Sequence, residues 1–302
     1  MPLSTAHRAV RSGEVTLAAS VAGDMTGPPV VLIHGYPDTQ EMWVPVVDRL
    51  AADFGVITYD VRGAGASSAP RGRAAYDLSC LADDFQRVCA DLAPERPVHL
   101  VGHDWGGVQG WEFVTAPRFA GRIASFTTIA GPALAHAVGS AWAASPGVDA
   151  LRRLAAAARH SWYIAPLCLP GGPTLLWRVL LAGGRWRRLL AERERLALDA
   201  GFPAPTLGDD GLHGANLYRQ NIPRRLIRPP VPGVPHAPVQ LIVPTGDRFI
   251  PESYYEAATR ISPTLRRRDV AGSHWAPRTQ PAAVAGWITE FARENESSMA
   301  AA

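Results

Sequence analysis

The sequence contains no lysine, and its 30 basic residues other than histidine are all arginines. This absence excludes reactions that proceed through a lysine Schiff base, and it excludes the phosphate-binding loop that requires a lysine. Cysteine is scarce, and the three residues form neither a Cys-x-x-Cys pair nor an even framework. We therefore expect a reducing compartment and no metal in the functional site.

Long hydrophobic runs are also missing, and so is a strong charge of either sign. The first residues contain no apolar core of a secretory signal, and no stretch approaches the roughly 18 apolar residues of a membrane span. The net charge of +3 is too small to predict a nucleic-acid partner. These features predict a cytoplasmic protein.

Short apolar runs alternate with helical patterns, which predicts an α/β fold whose mostly parallel sheet is flanked by helices on both faces. The alternation stops near residue 134, and the stretch to residue 230 has helical patterns with Pro and Gly breaks but no convincing strand. We therefore expect a core of residues 1–133 and 231–302, and a helical cap of residues 134–230 inserted between core strands. The predicted strands are 15–21, 30–33, 56–59, 98–101, 125–129, 239–243 and 264–270. The predicted core helices are 76–92, 105–115, 252–261 and 281–293, followed by a tail that is expected to fray from residue 294 onwards.

The sharpest motif is GHDWGG at residues 102–107, which follows a predicted strand and precedes a predicted helix. Gly-x-x-x-Gly around a nucleophile at such a junction is the pattern of a nucleophile elbow. The central residue here is Asp104, whose carboxylate is ionised at neutral pH and suits displacement at a saturated carbon. The alternative is an aspartate that only caps the following helix, and this motif by itself leaves both interpretations open.

Three further motifs accompany the elbow. HGYP at residues 34–37 would place the backbone N–H of Tyr36 beside the elbow, where it and the N–H of Trp105 would form an oxyanion hole. TGD at residues 245–247 supplies Asp247, and GSHW at residues 272–275 supplies His274. The chain order of nucleophile, acid and histidine is the one that an α/β-hydrolase requires.

With these motifs in this order, the chain resembles the epoxide hydrolase group of the α/β-hydrolase superfamily over about residues 15–291. The resemblance implies that Asp104 is the nucleophile, that His274 activates water and that Asp247 orients His274. It implies no metal and no organic cofactor. The chain is also similar to the hydrolase domain that some bacterial proteins carry ahead of a short-chain dehydrogenase, although this sequence has no Gly-rich dinucleotide fingerprint.

Two tyrosines of the predicted cap favour epoxide chemistry. Opening an epoxide leaves an alkoxide that needs an acid, whereas a halide needs only N–H donors. Tyr163 precedes a Pro-Gly pair by the spacing of the first cap tyrosine in epoxide hydrolases, and Tyr218 lies in NLYR, which is similar to the family's NWYR motif. The chain departs from the family pattern at three positions. Leu217 stands where the family has Trp, Ile164 stands where Gln often follows the first tyrosine, and Tyr36 stands where Phe is common.

The resulting hypothesis is hydrolysis of a bulky, lipophilic epoxide by water to a vicinal diol through an ester on Asp104. Trp105, Tyr36 and Pro37 are expected to bind the substrate. Two alternatives stay open, because haloalkane dehalogenases share the same triad and a catalytically idle hydrolase fold could serve as a binding domain. The sequence carries no signal for an oligomeric state.

An arginine-rich run, RWRR at residues 185–188, lies within the predicted cap. A solvated helix face is its simplest interpretation. The interleaving of arginine with tryptophan and leucine leaves peripheral contact with a membrane surface as the alternative. The predicted cytoplasmic location is therefore compatible with membrane association.

Overall fold

A computed structural model describes residues 5–134, 162–228, 233–262 and 264–300 of the chain. Its centre is an eight-stranded sheet in the order β1-β2-β4-β3-β5-β6-β7-β8. β2 is antiparallel to both β1 and β4, and all later neighbours are parallel. The strands are β1 (Ala6–Ser12), β2 (Val15–Ala22), β3 (Pro29–Ile33), β4 (Gly55–Tyr59), β5 (Val98–His103), β6 (Ile123–Ile129), β7 (Val239–Pro244) and β8 (Arg266–Val270). The predicted α/β class with a mostly parallel sheet is confirmed.

Helices cover both faces of this sheet, because successive strand residues point to opposite sides. In β3, Val31 and Ile33 belong to one buried cluster, and Val30 and Leu32 belong to the other. The helices are α1 (Val44–Leu50), α2 (Leu78–Leu92), α3 (Trp105–Thr115), α4 (Ile164–Cys168), α5 (Gly172–Leu181), α6 (Arg185–Arg188), α7 (Leu207–Ile227), α8 (Ser253–Ile261), α9 (Ala276–Thr279) and α10 (Pro281–Ala300). Short 3₁₀ turns lie at Gln40–Trp43, Arg73–Tyr76, Pro117–Phe119 and Ala182–Gly184, and a π-helical turn lies at Leu189–Arg193. Helices α2 and α3 pack on the first cluster, while α1 and α10 pack on the second.

The edge strand β1 is absent from the sequence prediction. It pairs only with β2, in a register that runs from Ala6 opposite Val21 to Ser12 opposite Val15. Only Val10 and Ser12 of the strand are buried. An edge strand with so few buried side chains has a weak hydrophobic pattern, and this explains why the alternation in the sequence begins only at β2.

The described part of the stretch between β6 and β7, residues 162–228, contains α4 to α7 and no strand. We call these residues the helical segment. Residues 135–161 and 229–232, which the sequence analysis assigned to the same insertion or its border, lie outside the described residues. Within the part that is described, no helix combines the length and the apolar character needed to cross a membrane.

The C-terminal tail corrects one expectation. Fraying was predicted from residue 294, but α10 continues to Ala300. Glu296 explains part of this extension, because its carboxylate accepts a hydrogen bond from the Arg96 guanidinium at 3.0 Å and lies 3.1 Å from Nε2 of the buried His99. These long-range contacts tie the last turns of the helix to the core, and sequence polarity alone gives no sign of them.

A glycine substitution tests the packing that positions the site. A Cβ on Gly106 would overlap the carbonyl group of Ile33, and α3 would have to move away from β3. We expect Gly106→Ala to lower the free energy of unfolding by about 3 kcal/mol. The control is Gly286→Ala in the exposed part of α10, where a Cβ meets no atom within 4 Å. That variant should be more stable by about 0.5–1 kcal/mol, because alanine favours helix. Urea denaturation would measure both, and equal effects of the two variants would contradict the packing argument.

Candidate active site

The carboxyl ends of the parallel strands meet at one edge of the sheet, where the four motifs converge. Ile33 at the end of β3 pairs with Gly102 near the end of β5. HGYP and the elbow therefore follow neighbouring strands at the same level of the sheet. β7 ends at Pro244 and leads to Asp247, and His274 follows β8. Ligands of open α/β sheets bind at this edge, and the fold therefore gathers the predicted residues where a site is expected.

Asp104 occupies a strained turn between β5 and α3. Its backbone has φ 51° and ψ −118°, a conformation that residues with a side chain rarely adopt. The turn is possible because Gly102, Gly106 and Gly107 lie so close to neighbouring backbone and side-chain atoms that none could carry a Cβ without a shift. The Asp104 side chain makes no helix-capping hydrogen bond. The geometry is that of an elbow, and the alternative of a simple capping aspartate is wrong.

Two backbone N–H groups point at the carboxylate of Asp104. The N–H of Tyr36 donates to Oδ1 at 2.9 Å, and the N–H of Trp105 also hydrogen-bonds this carboxyl group. Burial raises the pKa of Asp104, while the charge of His274 and the two N–H groups act in the opposite direction. The two donors are the pair that the sequence analysis assigned to an oxyanion hole.

His274 lies between two carboxylates. Its Nδ1 is 2.8 Å from Oδ2 of Asp247, and its Nε2 is 3.7 Å from Oδ2 of Asp104. Asp247 is itself fixed, because its Oδ1 accepts the backbone N–H groups of Phe249 and Ile250. Burial acts to lower the pKa of His274, but the Asp247 partner and the Asp104 charge outweigh it and raise the pKa to about 9. The two neighbouring carboxylates therefore favour the protonated imidazole.

Tyr163 and Tyr218 come from the helical segment and face the elbow. Their rings lie edge to face with centroids 6.1 Å apart, and the Tyr218 ring also lies 4.9 Å from that of Trp105. Burial is the main cause that raises the pKa of each phenol well above its ordinary value of about 10, and the nearby Asp104 charge adds to it. Both effects favour the protonated form of the two hydroxyls.

Tyr36 connects the HGYP loop to the helical segment through its side chain. Its hydroxyl donates to the carbonyl oxygen of Gly211 at 2.8 Å and accepts the Nε1–H of Trp177 at 2.7 Å. Its ring packs against that of Tyr218 with centroids 5.1 Å apart. Tyr36, Pro37 and Trp105 also share a small cavity beside the elbow, so the three predicted substrate-binding residues lie together.

Asp38 is a site residue that the sequence analysis missed. It is buried directly after HGYP, and its Oδ2 accepts the Nε1–H of Trp275 at 2.8 Å. Burial raises its pKa to about 7, against the charge of His274 and the Trp275 hydrogen bond. An acidic residue immediately after an oxyanion motif was a signal available in the sequence.

Glu194 and Gln109 are two further buried polar residues for which the sequence gave no signal. Glu194 reaches the site from the helical segment, where its backbone oxygen accepts the Ser273 hydroxyl at 3.0 Å and its carboxylate Oε2 has no partner among the described residues. Gln109 lies on α3, and both polar atoms of its side chain are buried without a protein partner in the described part of the chain. The burial of both side chains depends on tertiary packing, and a sequence pattern therefore gives no sign of it.

Comparison with known proteins matches this geometry to a family. A family model for the alpha/beta hydrolase fold matches residues 28–159. A protein of Mycobacterium tuberculosis named probable oxidoreductase EphD is 35% identical over 286 residues, which cover 92% of this chain and 48% of that protein. The crystal structure of an epoxide hydrolase from Bacillus megaterium superposes with a TM-score of 0.76 at 19% identity, over 95% of this chain and 100% of that one. The chain has the α/β-hydrolase fold.

This α/β hydrolase is epoxide hydrolase-like. Epoxide hydrolase A of Mycobacterium tuberculosis is 38% identical to it over 133 residues, which cover 43% of this chain and 40% of that protein. The chain spans about half the length of the EphD proteins that it matches over most of its own length. The family resemblance and the hydrolase fold predicted from the motifs are confirmed, whereas the roles of individual site residues remain predictions.

The raised pKa of His274 predicts how the stability of the α/β hydrolase depends on pH. A group whose pKa is higher in the folded than in the unfolded protein stabilises fully below its unfolded value of 6.5, and this contribution disappears as the pH rises through about 9. We expect the free energy of unfolding to fall by about 3 kcal/mol more in the wild type than in His274→Gln between pH 6.5 and pH 10. Urea denaturation across this range measures the difference, and parallel curves would contradict the ion pairing of His274.

Proposed function

We propose that this protein hydrolyses an epoxide to a vicinal diol through an ester intermediate on Asp104. The observation that carries the proposal is the placement of two tyrosines at a nucleophile elbow, where the Tyr218 ring contacts both Tyr163 and Trp105, the residue after Asp104. An epoxide needs both functions at once, because its carbon must be attacked while its oxygen receives a proton.

In the first step, an oxygen of Asp104 forms a bond to a ring carbon, and the bond from that carbon to the epoxide oxygen breaks. Tyr163 and Tyr218 hold the departing oxygen, and one of them gives it a proton. The product of this step is a hydroxyalkyl ester and a tyrosinate. Because burial disfavours a charged phenol, the tyrosinate regains a proton readily.

Ester formation also changes the state of His274. The pKa of this histidine is high partly because of the Asp104 charge, and the ester removes that charge. The pKa therefore falls, and the imidazole releases a proton that restores the balance lost at the tyrosinate. Neutral His274, oriented by Asp247, is then able to take a proton from water.

In the second step, the activated water attacks the carbonyl carbon of the ester. The negative charge that develops on the carbonyl oxygen is received by the N–H groups of Tyr36 and Trp105, which already donate to this carboxyl group. Collapse of the intermediate breaks the bond between the carbonyl carbon and the diol oxygen. This oxygen takes the remaining proton of the attacking water, so the diol leaves and Asp104 returns as a carboxylate. The scheme uses only side chains, backbone N–H groups and water.

The substrate that these surroundings favour is lipophilic. The Tyr218 ring contacts the rings of Tyr36, Trp105 and Tyr163, so four aromatic rings lie together at the elbow. We propose that residues 134–230 act as a cap over this space and that the ring-lined wall excludes water during attack. The related enzyme of Bacillus megaterium was crystallised with a naphthyloxypropanediol product, which supports an aromatic or otherwise bulky group on the substrate.

A haloalkane dehalogenase would use the same Asp104, Asp247 and His274. One assay distinguishes this function from epoxide hydrolysis. An epoxide panel with aryl and long-chain members should give diols, whereas bromoalkanes should release no halide. Halide release without diol formation would replace the proposal with the dehalogenase. Failure of both reactions, with ligand binding retained, would favour an idle binding domain.

Replacing the nucleophile tests the first step. Asp104→Asn should fold normally and lose turnover by roughly 10⁴-fold or more, because the amide is isosteric but not nucleophilic. The control is Asp83→Asn at an exposed aspartate paired with Arg118, which should retain full activity. Diol formation measured by chromatography decides the matter once mass spectrometry has excluded deamidation. Near-normal turnover in Asp104→Asn would overturn the mechanism.

Replacing the base tests the second step. His274→Gln should still be alkylated by substrate and then stall, because water is no longer activated. Intact-mass spectrometry should detect one substrate adduct on the protein, and peptide mapping should assign it to the peptide that contains Asp104. An inactive His274→Gln protein without any adduct would contradict the ester intermediate.

Replacing the tyrosines separates epoxide from halide chemistry. Tyr163→Phe or Tyr218→Phe should slow alkylation by about 10- to 1000-fold, because each variant loses one donor to the developing alkoxide. Hydrolysis of the preformed ester should change much less. The control is Tyr59→Phe, which removes a buried hydroxyl that has no partner in the described residues. Pre-steady-state alkylation at the wild-type rate in both cap variants would show that the tyrosines only pack.

A further inference from the structure

The helical segment exposes several large apolar side chains on its outer surface. Trp162 is 61% exposed, Leu169 is 59% exposed, Leu175 is 67% exposed and Val179 is 48% exposed. We call these four residues the apolar patch. Clusters of exposed side chains of this size mark interaction sites more often than scattered single residues do.

Two residues of the patch belong to a helix that is held from its other side. On α5, Leu175 and Val179 are four residues apart and share one face of the helix. Pro173 and Trp177 are buried on the opposite face. Trp177 is fixed by its hydrogen bond to the Tyr36 hydroxyl, so α5 presents its apolar face outwards on a stable support.

Arginines surround the patch. Arg178 is exposed on α5 between Leu175 and Val179, and the Arg185 guanidinium donates to the carbonyl oxygen of Val179 at 3.0 Å. Six arginines lie between residues 172 and 198, and all are exposed, whereas Glu192 is the only exposed acidic residue in this range. The arginines are Arg178, Arg185, Arg187, Arg188, Arg193 and Arg195. Within the described residues, none of them forms an ion pair with a carboxylate.

We infer that this surface docks on the headgroup region of an anionic lipid bilayer. Apolar side chains at the centre can enter the boundary between headgroups and acyl chains, while the unpaired arginines contact lipid phosphates and other anionic headgroup atoms. The excess of exposed arginines over exposed acidic residues in the range 172–198 favours an anionic occupant. A polyanion such as nucleic acid would leave the apolar residues exposed, and a protein partner would need a matching acidic ring.

The position of the surface links it to the site. Trp162 is the neighbour of Tyr163 in the chain, and their rings lie edge to face with centroids 6.3 Å apart. A lipophilic substrate dissolved in the bilayer would thus meet the protein next to a proposed acid. This last step rests on the proposed function, whereas the membrane contact itself does not.

Vesicle binding tests the contact without any measurement of activity. The full chain should sediment with vesicles of phosphatidylcholine and phosphatidylglycerol at low salt, should bind less at high salt, and should bind weakly to phosphatidylcholine alone. Absence of binding to the anionic vesicles at low salt would overturn the inference, and equal binding to both vesicle types would show that the arginines do not act as inferred.

Matched variants assign the binding to this surface. The double variant Arg187→Glu with Arg188→Glu should lower the partition coefficient by about 25-fold or more, at roughly fivefold per arginine. Leu175→Ser with Val179→Ser should lower it as well. The control, Arg8→Glu with Arg11→Glu at two exposed positions of β1, changes the net charge equally and should bind almost as the wild type does.

Two results of this comparison would reject the surface. An equal loss in the control would show that only net charge matters. A change in oligomeric state of the Leu175 and Val179 variant by size-exclusion chromatography, with vesicle binding intact, would show that the patch joins copies of the chain. Turnover of a water-soluble epoxide should remain unchanged in all variants, and its loss together with intact vesicle binding would concern the proposed function alone.

Discussion

The close approach of helix α3 to the neighbouring strands is the constraint on which the rest of the site depends. Three positions without a side chain, Gly102, Gly106 and Gly107, allow the helix to begin almost in contact with the backbone of β3. The helix axis and the strand end together determine where the Asp104 carboxylate lies. Because the turn holds φ at 51°, the carboxylate faces the N–H groups and the imidazole without a search through other conformations.

The buried carboxyl groups of the site lie around a single imidazole, that of His274. Asp104, Asp247 and Asp38 all lie near His274, and burial raises the pKa of Asp104 and of Asp38. The neighbouring carboxylates favour the protonated form of His274. In the proposed mechanism, conversion of Asp104 to a neutral ester would remove one of these charges, lower the pKa of His274 and allow the same residue to act as a base.

Much of the architecture follows from sequence patterns because it depends on local signals. Buried parallel strands have dense apolar runs, and the motifs at their ends have fixed turn chemistry, so the sheet, the elbow and the order Asp104, Asp247, His274 are predictable. β1 was not predicted because an exposed edge strand has little hydrophobic pattern. The full length of α10 was not predicted because it depends on contacts that Glu296 makes with residues far away in the sequence.

The same distinction separates the site residues that sequence analysis found from those that it missed. Asp104 and His274 lie in compact motifs, whereas the burial of Asp38 depends on Trp275, far along the chain. Glu194 enters the site after a π-helical turn and before Arg195, which has φ 56°. Such local irregularities follow from tertiary packing, and a hydrophobic period does not reveal them.

Tyr36 connects the carboxyl group of Asp104 to two helices of the helical segment. Its backbone N–H points at the carboxyl group of the nucleophile, while its hydroxyl is bonded to Gly211 on α7 and Trp177 on α5. Any outward movement of these helices that widens the entrance must stretch the hydroxyl bonds and loosen the loop that carries the N–H donor. The position of this N–H group and the position of the helical segment are therefore coupled through one side chain. In the proposed mechanism, hydrolysis of the ester would depend on how α5 and α7 pack against the HGYP loop.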